Sequence, residues 1–62
     1  MNRLKEIREE RNISQVKLAE MSGITRQTIA KIESDPQASV KVATLQKLAD
    51  ALGVRFYDIF LP

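Results

Sequence analysis

The chain has no cysteine and no histidine. Their absence excludes disulfides, thiolate or imidazole metal sites, and every Cys/His or Ser/His/Asp catalytic arrangement. Its two glycines form no phosphate-cradling loop. No apolar run approaches the ~20 residues of a membrane span. Met1-Asn2-Arg3-Leu4-Lys5 leads straight into charged residues rather than into an apolar targeting core, so a cytoplasmic protein is expected. Glu6, Glu9 and Glu10 stand at helical spacing among basic residues, as on a solvated face, and do not form a paired acid/base site. No enzyme, cofactor, metal or small-molecule ligand is expected.

What is present suits a small folded domain. The 62 residues are 44% apolar with a net charge of +2, and they read as one domain, 1–62. A domain of this size hides only about 60% of the surface of its unfolded chain, so regular packing and self-association must supply stability. Charge is unevenly spread. Lys17, Arg26 and Lys31 against Glu20 leave residues 15–31 at +2, whereas residues 32–62 sum to −1.

The periodicity predicts an all-α bundle of five short helices. The first spans Asn2 to Arg11, with Asn2 as N-cap and Leu4, Ile7, Arg8 and Arg11 along one stripe. Ser14 caps a second helix from Gln15 to about Met21, carrying Leu18, Ala19 and Met21 inward and ending at Gly23. Thr25 caps a third, which must finish before Pro36 because Asp35 is pushed off helical angles. After the loop Asp35-Pro36-Gln37-Ala38-Ser39, a fourth helix sets Val42, Leu45, Leu48, Ala49 and Leu52 on one face and stops at Gly53. Residues 54–60 can add a short fifth helix holding all three aromatic residues.

Helices two and three, joined by a glycine-containing turn, have the lengths of a helix-turn-helix over about 15–34, with Ala19 at the closest approach. At about 100° per residue, Arg26, Ala30, Ser34, Gln27 and Lys31 fall in an arc of roughly 140°, with Ile29 and Ile32 opposite. That arc has no carboxylate. Arginine can bond guanine O6/N7, glutamine adenine N6/N7, and lysine guanine or phosphate, which suits the major groove. Arg8 shares its stripe with Leu4 and Ile7, and Glu33 lies at the edge of the buried face of helix three. Both would be costly to bury alone, so a structural salt bridge between them is expected.

Ile7-Arg8, Ser14-Gln15-Val16-Lys17-Leu18-Ala19-Glu20, Gly23-Ile24-Thr25-Arg26-Gln27-Thr28-Ile29, Ile32-Glu33 and Leu45 through Val54 together resemble the phage-repressor and Cro family of XRE-like regulators, over nearly the whole chain. The resemblance implies a lambda-repressor-like fold and a dimeric, sequence-specific regulator of transcription, a repressor, in a bacterial or phage nucleoid. The helix from Thr25 to Ser34 would read a palindromic double-stranded operator. It implies base contacts from Arg26, Gln27 and Lys31. Backbone contacts would come from Ser14, Gln15, Thr25, Thr28 and Lys41, with one more available from Ser34. It also implies the Arg8–Glu33 bridge. The loop departs from the family pattern, and Asp35 would repel a phosphate there. A similar loop occurs in antitoxin members, so an antitoxin with a toxin partner is the alternative. Half-sites about 34–36 Å apart call for a homodimer. Its contact is expected at residues 54–62, through Tyr57, Phe60 and Leu61, with Phe56 and Ile59 turned inward.

Overall fold

The computed structural model describes residues 3–35 and 39–60. Five helices follow one another: α1 Leu4–Glu10, α2 Gln15–Ser22, α3 Arg26–Ser34, α4 Val42–Leu52 and α5 Phe56–Ile59. The expected cap Asn2 lies outside the described residues, as do Pro36, Gln37 and Ala38 of the loop and Leu61 of the expected dimer contact.

Local chemistry accounts for most boundaries. The Ser14 hydroxyl accepts the Lys17 N–H at 3.0 Å, and that of Thr25 accepts the Thr28 N–H at 3.2 Å, so each removes one orphan donor from a helix start. α2 stops where Gly23 takes φ +75° and its N–H reaches the Ala19 carbonyl. α4 stops at Gly53, φ +70°, with the Gly53 N–H on Asp50 and the Val54 N–H on Ala49. α1 ends in the same bonding pattern without glycine. Asn12 holds φ +55° while its N–H reaches Glu9 and that of Ile13 reaches Arg8. Asparagine tolerates this left-handed conformation better than most residues. Asp35, ahead of proline, is extended at φ −129° and ψ 90°.

One core receives a contribution from every helix. Leu4 and Ile7 come from α1, Leu18 from α2, Ile29 and Ile32 from α3, Leu48, Ala49 and Leu52 from α4, and Ile59 from α5. Each large side chain so enclosed is worth about 1.5–3 kcal/mol over its exposed state. α2 packs against both α3 and α4, α1 against α3, and α5 against α4. The Arg3 N–H bonds the Ile59 carbonyl at 2.9 Å, fastening the start of α1 to the end of α5.

Three expectations need correction. The first and last helices are shorter than their periodic patterns, covering Leu4–Glu10 and Phe56–Ile59. Met21 is 45% exposed. The inward face of α2 runs through Gln15, Leu18, Ala19 and Ser22, and Met21 lies about 110° around the helix from its centre. Val42 is 67% exposed although it continues the α4 stripe. Lys41, Val42 and Ala43 are all exposed, and enclosure begins only at Thr44 and Leu45, so the first turn of α4 overhangs the core.

Candidate nucleic-acid interface

The backbone of α3 is held from one side only. Ile29 and Ile32 are buried in the core, while Arg26, Gln27, Lys31 and Ser34 are exposed and Ala30 is half-buried. The exposed residues form a continuous strip with two cations, an amide, a hydroxyl and a low centre at Ala30. Thr25 and Thr28 sit at the start of the strip and bond each other: the Thr25 hydroxyl donates to Thr28 Oγ1 at 2.9 Å and accepts the Thr28 N–H. The Ser34 hydroxyl turns back to the Lys31 carbonyl at 3.4 Å. No side-chain ion pair among the described residues occupies Arg26 or Lys31.

The position of this strip is fixed by a buried polar network. Arg8 Nε donates to Glu33 Oε2 at 2.8 Å and Arg8 Nη2 to Glu33 Oε1 at 3.2 Å, a two-pronged bridge between α1 and α3. Arg8 Nη1 donates to the Ile13 carbonyl at 2.8 Å, which ties in the turn before α2. The two side chains are 10% and 5% exposed. Hydrogen bonding to Glu33 raises the Arg8 guanidinium above its ordinary pKa, against the opposing effect of burial. The pair expected from the sequence is thus brought together.

Gln15 joins the same network, which its sequence context did not reveal. Its Nε2 donates to Glu33 Oε1 at 3.0 Å. An amide nitrogen carries two hydrogens, so one N–H of Gln15 remains for an external acceptor. Glu33 therefore joins α1, α2 and α3 through two partners. The contact spans eighteen residues and produces no periodic signal in the sequence.

The remaining expected site residues are spread more widely. Ser14 is exposed at the α2 N-terminus beside Gln15, and Lys41 is exposed at the N-cap of α4. At the far end of the chain Tyr57 is 69% exposed. Phe60 is half-buried against the protein's own core, so much of its surface is already covered.

Known proteins resemble this chain in sequence and in fold. The helix-turn-helix family HTH_3 matches residues 4–59. The HTH-type transcriptional regulator PuuR of Escherichia coli K12 is 41% identical over 58 residues, 94% of this chain and 31% of that protein. The immunity repressor protein of Bacillus phage phi105 is 42% identical over 53 residues, covering 86% of this chain and 36% of the repressor. The crystal structure of an HTH_3 family transcriptional regulator from Vibrio cholerae has a similar fold, with a TM-score of 0.77 at 32% identity, covering 86% of this chain and 29% of that one. The chain spans about a third of the length of these relatives. With nearly every residue inside the match, this chain belongs to the helix-turn-helix family HTH_3, whose likeness to the phage repressors its own sequence displays.

Proposed function

We propose that the chain binds double-stranded DNA as the operator-reading part of a transcriptional regulator, with α3 in the major groove. The observation that carries this reading is the exposed strip of α3. It has no carboxylate, and it is held rigid from behind by Ile29, Ile32 and the Arg8–Glu33 bridge. Arg26 and Gln27, in its first turn, are the base readers, through guanine and adenine edges respectively. Lys31 completes the cationic face one turn further on. Ser14, Gln15, Thr25 and Thr28 line the approach of one backbone strand, with Ser34 and Lys41 as further backbone contacts. Such contacts fix register without reading sequence.

Two such modules on a palindromic site give useful specificity, so the working form is a homodimer that represses from its operator. The likeness to a phage immunity repressor supports repression, and no relative reported above is described as an antitoxin. Among the described residues no helix is long and apolar enough to cross a membrane. This fits a protein that works where the DNA is.

The test is a titration of DNA from the protein's own promoter against scrambled duplex, with wild type, Gln27→Ala and Gln15→Ala. Gln27→Ala should relax preference at one base pair by about 1–3 kcal/mol. Gln15→Ala should weaken binding to every sequence alike. Equal losses on all sequences for Gln27→Ala would sink its assignment as a base reader.

A further inference from the structure

The strip that α3 exposes is polar except at one place. Arg26, Gln27, Lys31 and Ser34 are exposed and each carries a polar group, whereas Ala30, half-buried among them, ends in a methyl group. We propose that Ala30 is a specificity-determining residue that reads the 5-methyl group of one pyrimidine, thymine or 5-methylcytosine alike. The inference rests on the DNA-binding reading above and adds to it a position read without a hydrogen bond.

The place of Ala30 on the helix makes it the point where a base edge comes nearest the α3 backbone. At about 100° per residue it falls between Arg26, four residues before it, and Gln27, three before it, so the three share one side of the helix. Ile29 and Ile32 are buried behind that side and fix the rotation of α3, so no other side chain can be turned into this place. The Arg8–Glu33 bridge holds the same stretch of helix. Arg26 and Gln27 are long enough to reach their own bases past Ala30. The base edge between them then lies on a methyl floor.

Such a floor sorts what can rest on it. Guanine O6 and N7, adenine N6 and N7, cytosine N4 and thymine O4 all present hydrogen-bonding groups to the groove. Pressed against Ala30, each of them gives up water and gains no partner, because an alanine side chain has neither donor nor acceptor. The 5-methyl group of thymine is the one apolar group that the unmodified bases present there. Covering it with Ala30 is worth about fourfold in affinity, the value of one buried methylene. Cytosine has only a hydrogen at that carbon, and 5-methylcytosine has the same methyl group as thymine. Methylation of a cytosine at this position therefore turns an indifferent base into a favoured one, and occupancy of the operator responds to methylation of its own DNA.

The test scans the preferred duplex with wild type, Ala30→Gly and Ala30→Ser, replacing each thymine singly by uracil and each cytosine singly by 5-methylcytosine. Every exchange alters one methyl group and no hydrogen-bonding atom of the bases. Wild type should show a position in the half-site at which the methylated base binds about fourfold tighter than the bare one. When the base pair there is exchanged so that the other pyrimidine occupies it, methylation should bring the same gain. Ala30→Gly keeps the helix low but removes the floor, and the gain should vanish. Glycine also loosens a helix. Ala30→Ser keeps the Cβ and adds a hydroxyl that can serve a polar edge, so it should shrink the gain below about twofold while retaining the helical spectrum. A residue that is small only to let the helix sit deeply would leave wild type indifferent to every methyl group, and that result overturns the proposal. A position that keeps its full gain in Ala30→Ser assigns the methyl to another side chain and overturns it as well. A gain with thymine and none with 5-methylcytosine overturns the response to methylation. Each of these leaves the Gln27 assignment standing, whereas failure of wild type to bind any duplex overturns the DNA reading and the methyl contact together.

Discussion

Arg8 is a permanently charged side chain with nine-tenths of its surface covered, in a protein whose core holds few large side chains. Such a group is tolerable only because each face of its guanidinium meets an acceptor, two on Glu33 and one on the Ile13 carbonyl. Removing Arg8 alone leaves a buried carboxylate with only Gln15 for company. Arg8→Ala is therefore expected to cost about 3–5 kcal/mol, a large share of the stability of so small a domain. Replacing both partners by apolar residues, Arg8→Met with Glu33→Leu, should cost far less. Thermal midpoints of the two variants check this, and an Arg8→Ala midpoint equal to wild type would contradict it. The pairing was legible because Arg8 stands in register with Leu4 and Ile7, and a charge on an apolar stripe needs a partner. Gln15 was legible as the first residue of a helix and, through the family resemblance, as a backbone contact. Its tie to Glu33 depends on how α2 and α3 cross, which no local pattern encodes.

At the scale of the helices, starts and stops were written in side-chain chemistry. Ser14, Thr25, Gly23 and Gly53 mark boundaries because hydroxyls satisfy orphan amides and glycine takes left-handed angles cheaply. Inward faces were less legible at helix ends. Met21 and Val42 continue apolar patterns, yet burial there depends on whether a neighbouring helix reaches that far. The shortest helix, α5, depends on Asp58, whose Oδ2 accepts the Arg55 N–H at 2.9 Å. That backbone bond, with the Arg55 guanidinium beside it, lowers the Asp58 carboxyl below its ordinary pKa. A carboxyl depressed in the fold stabilises it above the unfolded pKa, about 3.9, and loses that contribution as pH falls through the lower folded value. Glu6, lowered by its hydrogen bond with Arg3, acts in the same direction. Asp58→Asn keeps an acceptor at the helix start but does not titrate. Below about pH 4 its thermal midpoint should fall less steeply than that of wild type, and parallel midpoint-against-pH curves would remove Asp58 from the account.

For the whole molecule, the proposed reading gives one helix only a few bases and phosphates to engage, and occupancy of a single operator among many competing sites then calls for a second copy. The described end of the chain offers a surface for it. Phe56 meets Tyr57 edge-on at 5.6 Å between ring centroids and Phe60 at 5.2 Å, which makes a small aromatic cluster. Phe56 and Phe60 are half-buried, whereas Tyr57 turns outward. The weight of the proposed contact therefore moves from Phe60 to Tyr57, because a ring already packed on its own core has less surface left for a partner. Tyr57→Glu puts a charge on the outward ring position without opening the core, so folding should persist while association weakens. In light scattering at micromolar concentration, wild type should show twice the chain mass and Tyr57→Glu the single mass, with an unchanged helical spectrum. The same variant should still bind an isolated half-site as wild type monomer does, but lose the affinity gained when two half-sites lie one helical turn apart. Wild type at the single mass under these conditions would remove α5 as the dimer contact and leave pairing of the reading helices to some other part of the surface.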